Sequence, residues 1–300
     1  MKCRFCENEL QHVFADLLNA PPSNSYLTDK QLNEPESYFP LKVFVCDKCW
    51  LVQVDEYKKS GEIFDKDYAY FSSMSNSWLV HSQRYVEMIS NRLSLKGDSQ
   101  VVEIASNDGY LLQYFQEKNI TCLGVEPTAS TAAVSLEKGI DTRIDFFSVD
   151  FARQLVDEGK KADLILGNNV LAHVPDINDF VGGLKVLLKE SGTITMEFPH
   201  LLNILKFNQF DTIYHEHFSY LSLLSVEKIF KNQGLKVYDV EEISTHGGSL
   251  RIYACHEENA ALNTMTSLEE FLSKERDYGL DLLETYGHFQ QQMDKVKYDF

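Results

Sequence analysis

Four cysteines stand in two close pairs. Cys3 and Cys6 form one C-x-x-C, and Cys46 and Cys49 form another. Two thiolates on one tight turn can reach a single ion, and two such turns complete a tetrahedral zinc site. The alternatives are a redox C-x-x-C or four unligated thiols. A redox pair usually opens a helix in a βαβ unit, and Cys3 lies too near the terminus for that. Pro21, Pro22, Pro35 and Pro40 prevent the intervening stretch from being one helix, and Val43 to Val45 read as a short strand entering the second turn. So short and irregular a segment has little core, and a metal would staple it. The expectation is a structural Zn2+ held by Cys3, Cys6, Cys46 and Cys49, with no ligand position left for catalysis. Cys122 and Cys255 sit in apolar strand-like runs and read as core.

Three further clusters carry ionisable or hydrogen-bonding groups. They are Asn168-Asn169-Val170-Leu171-Ala172-His173, Tyr214-His215-Glu216-His217 and His246-Gly247-Gly248-Ser249-Leu250-Arg251. Taken singly, each histidine has a structural reading. Four ionisable or phenolic groups in succession are costly to bury for packing alone, so part of Tyr214–His217 is expected to face a cleft. A fourth motif, Tyr68-Ala69-Tyr70-Phe71-Ser72-Ser73, offers phenols that could hydrogen-bond a substrate or simply pack on a sheet.

The elements that must position these groups alternate. Residues 101–106 form an apolar run ending in the polar turn Asn107-Asp108-Gly109, and residues 110–118 follow with helical spacing. Residues 122–127 form a second strand ending at Pro127, with a helix closing at Gly139. A third strand is expected near 141–145, a fourth at 162–169 with a helix near 176–189, and a fifth at 192–199. Two later runs, 235–243 and 249–256, could pair antiparallel. This alternation predicts an α/β fold with a doubly wound, Rossmann-like parallel sheet.

Ligands of such sheets bind beyond the carboxyl ends of the strands. There the chain reads Glu103-Ile104-Ala105-Ser106-Asn107-Asp108-Gly109, and Glu126 ends the second strand, where a carboxylate suits a ribose diol. The loop lacks the G-x-G-x-x-G that admits a pyrophosphate. S-adenosylmethionine has no phosphate and tolerates a loop poorer in glycine. The expected cofactor contacts are Glu103, Ala105, Asn107, Asp108, Gly109, Glu126, Pro127, Asn168 and Asn169. The plainer reading of Glu126 is a helix cap.

With 45 acidic against 28 basic residues, the 300-residue chain carries a net charge of -17. This argues against nucleic acid and against anionic membranes as partners. No apolar run is long enough to span a bilayer, the first residues show no export signal, and the cytoplasm is the expected compartment.

Taken in order, these motifs resemble the nucleotide-sugar C-methyltransferases, the class I family that makes branched deoxysugars. The likeness rests on the two C-x-x-C turns, Tyr68 to Ser73, E-I-A-S-N-D-G, residues 168–176, Glu197-Phe198-Pro199-His200, residues 210–220 and residues 246–251. It covers almost the whole chain. The resemblance implies a zinc-binding segment over 1–60, a class I methyltransferase domain with a helical lead-in over 61–256, and a nucleotide-linked keto-sugar substrate. It also implies a base-formed enolate that takes the methyl group, with His217 as base. Glu216 would orient His217 or share its role, Tyr214 and His173 would hydrogen-bond the enolate, and Tyr68 or Tyr70 would place the sugar. One departure is expected: residues 257–300 read as an amphipathic helical segment running from Leu268 to Val296, so the family's C-terminal α/β domain is lacking or cut short. An exposed apolar stripe there could be an interface, and both monomer and homodimer are open. Methylation of a sugar oxygen and a non-catalytic binding subunit are the alternatives.

Overall fold

Residues 100–104, 121–125 and 162–168 are apolar and largely buried, as strands inside a sheet covered on both faces require. The structure is a computed structural model that describes residues 1–57, 59–64 and 70–299. Its strands are β1 (His12–Ala20), β2 (Phe39–Val45), β3 (Val52–Val54), β4 (Gln100–Ile104), β5 (Thr121–Val125), β6 (Thr142–Arg143), β7 (Ala162–Asn168), β8 (Leu188–Pro199), β9 (Ser219–Tyr220), β10 (Leu235–Ile243) and β11 (Ser249–His256).

The large sheet runs β10-β11-β8-β7-β4-β5-β6. Strands β4 to β8 pair parallel, while β11 lies antiparallel between β8 and β10. From β4 the chain winds outward through β5 and β6, then crosses back to β7 and β8. The winding reverses between β4 and β7, which opens a crevice beyond their carboxyl ends. Alternation divides the side chains between two layers. Val102, Ile104 and Ile165 pack with Phe151, Phe180, Leu184 and Phe230 on one face. Val101, Leu164 and Leu166 pack with Tyr85, Ile89 and Phe115 on the other.

The doubly wound sheet expected from the sequence is therefore present, including the antiparallel pairing of the two late strands. Three local expectations change. The third strand shrinks to Thr142–Arg143. The helix expected near 176–189 ends at Leu187, and β8 begins at the next residue. The terminal run breaks at Gly279, whose φ of 91° is a left-handed helix stop. It forms helices Thr266–Tyr278, Leu283–Gly287 and Phe289–Asp299. Leu268, Leu272, Phe289 and Met293 are buried in the core, and only Leu282 and Val296 of the expected stripe are exposed.

A second sheet, β1-β2-β3-β9, carries the N-terminal cysteines. Its last strand comes from far along the chain, directly after Tyr214–His217. The terminal helices cover this sheet: Phe14 stacks on Phe289 at 4.5 Å, and Trp50 lies parallel to Tyr286 at 6.4 Å. Glu275, fully buried, ties helix Thr266–Tyr278 to the large sheet. It accepts from Leu223 N–H at 2.6 Å and Leu224 N–H at 2.8 Å, and it lies 2.7 Å from His200 Nε2. Among the described residues, no helix is long and apolar enough to cross a membrane.

Candidate functional site: a cleft at the strand switch point

A cavity of about 490 Å³ occupies the crevice at the switch point. That volume lies within the usual range for a small-ligand site. Its walls come from the segments that follow β4 to β7: Ala105 and Asn107, Glu126 and Pro127, Asp145 to Ser148, and Asn168 to Val170. His173, Tyr214, Glu216, Tyr70, Trp78 and His246 also line it. Among the described residues, five carboxylates line it: Glu126, Asp145, Asp176, Asp179 and Glu216. Their negative field suits a cationic ligand.

The expected cofactor residues separate into two groups. Ala105, Asn107, Glu126, Pro127, Asn168 and Asn169 face the cavity. Ala105, Asn107 and Asn169 adopt positive φ (57°, 48° and 57°), a strained conformation that turns the backbone sharply at the strand ends. Glu126 accepts from Asn107 N–H at 2.8 Å and Thr128 N–H at 2.9 Å. Burial raises its carboxyl and those two backbone donors oppose the rise. It caps the segment that follows while still lining the cavity. Both amide atoms of Asn168 and the Oδ1 of Asn169 are buried with no protein partner. Such orphaned groups at a cavity wall fit a polar ligand.

Glu103, Asp108 and Gly109 do not line the cavity. Glu103 lies under the sheet end beside Tyr110, and burial holds its carboxyl well above the ordinary range. Asp108 is turned back onto Ser73, whose hydroxyl and N–H both donate to it. Gly109 has φ 74°, and a Cβ there would meet Ile140 Cδ1 at 2.6 Å and Ser135 Oγ at 2.8 Å. It serves packing between the loop and the neighbouring helix.

Five of the six expected catalytic residues come together at or just behind the cavity wall. Tyr214 and Glu216 line the cavity, and so does His173. His217 stands behind them, 4% exposed. Its Nδ1 donates to the Thr212 carbonyl at 2.8 Å, so in the neutral ring Nε2 accepts from the Tyr214 hydroxyl, also at 2.8 Å. Burial pushes the ring down to about 4. His217 thus meets the cavity through Tyr214, where direct reach to a substrate carbon was expected. The rings of His173 and His217 are 4.6 Å apart, and burial also holds His173 well below its ordinary value. Tyr70 also lines the cavity, 47% exposed, and its carbonyl accepts from Asn107 Nδ2 at 3.1 Å. Tyr68 lies outside the described residues.

Several wall residues carry no role in the sequence reading. Asp145 to Ser148 follow the short β6, and the strand-end rule would have pointed to them had the strand been longer. Trp78 opens helix Asn76–Arg92 and stacks on His81 at 4.9 Å. His81 Nε2 in turn lies 2.8 Å from Glu197, whose other oxygen pairs with Arg251 at 2.6 Å. Burial alone would raise the Glu197 carboxyl, but His81 and Arg251 hold it below the ordinary range. The motifs at 197–200 and 246–251 thereby meet in one buried ion pair, with His246 packed edge-on to Trp78 at 5.0 Å. Asn24, from the N-terminal segment, also reaches the cavity, and nothing local in the sequence marks it.

The four expected metal ligands come together. The Cys3, Cys6, Cys46 and Cys49 sulfurs lie within 4.8 Å of one another, with Cys3–Cys49 and Cys6–Cys46 each at 3.5 Å. Four thiolates at about 2.3 Å from Zn2+ put sulfurs roughly 3.8 Å apart, so this donor set fits the ion. Each turn closes alike, with Glu7 N–H on the Cys3 carbonyl and Trp50 N–H on the Cys46 carbonyl, both at 2.9 Å. Gln53 Nε2 donates to the Cys3 sulfur at 3.2 Å, an outer contact that supports a thiolate.

Residues 3–64 match the family described as "Putative zinc binding domain", residues 80–240 match "Methyltransferase domain", and residues 244–300 match "C-methyltransferase C-terminal domain". The last match corrects the expectation of a lacking domain: residues 244–300, which include the segment beyond His256, match the C-terminal domain. The C-methyltransferase NovU of Streptomyces niveus is 32% identical over 296 residues, spanning 99% of this chain and 70% of that protein. The PH0226 protein of Pyrococcus horikoshii superposes with a TM-score of 0.51 over 67% of this chain and 99% of that one, at 14% identity, a likeness of fold. The chain belongs to the C-methyltransferase family, as a zinc-binding, S-adenosylmethionine-dependent enzyme.

Proposed function

We propose that the enzyme methylates a carbon beside the ketone of a nucleotide-linked keto-deoxysugar, through an enolate. The observation that carries this reading is the Tyr214 hydroxyl in the cavity wall, backed by His217 Nε2 at 2.8 Å. A ketone acidifies the neighbouring C–H. As that bond breaks, its proton passes to the Tyr214 oxygen while the proton of Tyr214 passes to His217. The electron pair moves onto the carbonyl oxygen to form the enolate. Burial keeps His217 neutral at physiological pH with Nε2 aimed at the Tyr214 hydroxyl; the same burial makes the ring a weak base, so the enolate charge must be held as it forms. His173, also at the wall, would donate to the enolate oxygen in the tautomer that carries its proton on the nitrogen facing the cavity. Glu216 accepts from a sugar hydroxyl and so sets the carbon against Tyr214. Tyr68 and Tyr70 help place the sugar.

When bound, S-adenosylmethionine would supply the methyl group to the enolate carbon, its sulfur keeping the electron pair of the broken C–S bond. Asn168, Asn169 and the loop at 105–107 would hold it, with Glu126 on the ribose hydroxyls. The carboxylate-rich wall complements its positive charge. Four thiolates on zinc suit a reducing compartment, consistent with cytoplasmic deoxysugar synthesis.

The test is exchange in D2O with S-adenosylhomocysteine bound, so that no methyl can move. A 4-keto-6-deoxyhexose nucleotide should gain deuterium at a carbon beside the ketone. Tyr214→Phe and His217→Asn should each slow this by roughly 100-fold or more. Turnover without any exchange in the wild type would sink the enolate and point to methylation of oxygen.

A further inference from the structure

The run from Tyr214 to Tyr220 is fastened to the N-terminal segment at four places. Strand β9 continues the small sheet, with Tyr220 opposite Val52 and Ser219 opposite Gln53. Directly before it, the Phe218 carbonyl accepts from Val54 N–H at 3.1 Å. The His215 ring donates from Nε2 to the Pro40 carbonyl at 3.1 Å. Most telling is Glu216, whose Oε1 accepts from Ser23 Oγ at 2.7 Å and from Asn24 Nδ2 at 3.0 Å.

Two donors converging on one carboxylate oxygen fix its position and limit its rotation. Glu216 is 3% exposed, yet it and Asn24 both line the cavity. The loop that brings the donors is itself constrained. It follows Pro21-Pro22, which restrict φ, and Asn24 sits at φ 57°, a left-handed conformation that asparagine tolerates better than most residues. The loop leaves the end of β1, whose partner β2 leads straight into Cys46.

We infer that Ser23 and Asn24 are positioning residues for Glu216, so that the zinc-binding segment supplies part of the methyl-transfer site. The inference rests on the proposed role of Glu216 toward the sugar. The two donors orient the carboxylate, and the small sheet, stapled by the metal at its far end, holds the donors.

The experiment compares Ser23→Ala, Asn24→Ala, Ser23→Thr and Glu216→Gln in the full chain. It measures steady-state turnover of a 4-keto-6-deoxyhexose nucleoside diphosphate with S-adenosylmethionine. S-adenosylhomocysteine affinity and zinc content are measured on the same samples. Each alanine variant should lower kcat/KM for the sugar nucleotide by roughly 10-fold or more, the usual loss for a hydrogen bond to a charged group. Cofactor-product affinity and zinc content should not change, and Ser23→Thr, which keeps the hydroxyl, should recover most of the loss. Wild-type kinetics in both alanine variants, beside an impaired Glu216→Gln, would overturn the inference and leave the role of Glu216 standing. Wild-type kinetics in Glu216→Gln would remove that role and the inference with it. Joint loss of zinc and cofactor binding in the alanine variants would also overturn it, by showing a purely structural contact.

Discussion

The His217 ring holds the Tyr214 hydroxyl at 2.8 Å and anchors its own far nitrogen on the Thr212 carbonyl at 2.8 Å. The burial of that ring sets a pH dependence, which the Thr212 carbonyl only partly offsets. Burial pushes His217 down to about 4 from its ordinary 6.5, and His173 moves the same way. Between those values the unfolded chain binds a proton that the folded chain refuses. Stability is therefore full above the unfolded value and is lost as pH falls toward the folded one. From about pH 7 to about pH 5, His217 alone should cost roughly 2 kcal/mol, taking about 1.4 kcal/mol per unit. Denaturant unfolding of wild type and His217→Asn at both pH values checks this. The variant should show a shallower loss, and equal slopes would show that the ring does not titrate with unfolding.

Glu126 should govern cofactor affinity. Its carboxylate bonds two backbone N–H groups and also lines the cavity, so it both shapes the loop and offers its remaining lone pairs to a ligand. Glu126→Ala should weaken S-adenosylhomocysteine by roughly 10- to 100-fold, as expected when a charged acceptor is lost. Glu126→Gln, which keeps an acceptor, should fall between. Calorimetric titration distinguishes them, and full affinity in the alanine variant would reduce Glu126 to a cap.

Gly109 should govern stability and leave chemistry alone. At φ 74°, with Ile140 and Ser135 within 3 Å of where a Cβ would stand, Gly109→Ala must strain the backbone and displace its neighbours. A loss of about 1–3 kcal/mol is expected, read from the unfolding midpoint. Residual folded enzyme should keep its KM for the cofactor, because the residue does not line the cavity. A raised KM with wild-type stability would restore it to the site.

What could be read from the chain follows from the range of the constraint that produced it. Metal ligation is local within each C-x-x-C, and so the four-cysteine site was legible. Buried strands need continuous apolar runs, and β4, β5, β7 and β8 announced themselves in that way. Glu103 and Glu126 looked equivalent, both acidic and both at strand ends. Only Glu126 faces the cavity, because Glu103 lies within β4 and alternation turns it under the sheet. Asn24 lies 192 residues from Glu216, and β9 is two residues long. Such pairings arise from packing between distant segments, and no local period records them.

Glu275 should prove to be the linchpin of the C-terminal segment. It is fully buried on helix Thr266–Tyr278 and satisfies the first two N–H groups of helix Leu223–Asn232, while His200 Nε2 lies beside it. A carboxylate at a helix N-terminus also meets the positive end of the helix dipole. Removing it in Glu275→Ala leaves two buried donors and a buried imidazole without their partner. A loss of about 3–5 kcal/mol is expected, since each buried donor left without its partner costs about 1–3 kcal/mol. Glu275→Gln should lose less, since its amide oxygen can still accept from one N–H. Because the helices that follow, Leu283–Gly287 and Phe289–Asp299, pack on Phe14 of the small sheet and on Trp50 beside it, the alanine variant should also loosen the N-terminal segment. Hydrogen exchange would read this as faster exchange in β1 and β2 relative to β4. Protection unchanged there, with the midpoint lowered, would mean that the small sheet holds its place independently of the helices packed on it.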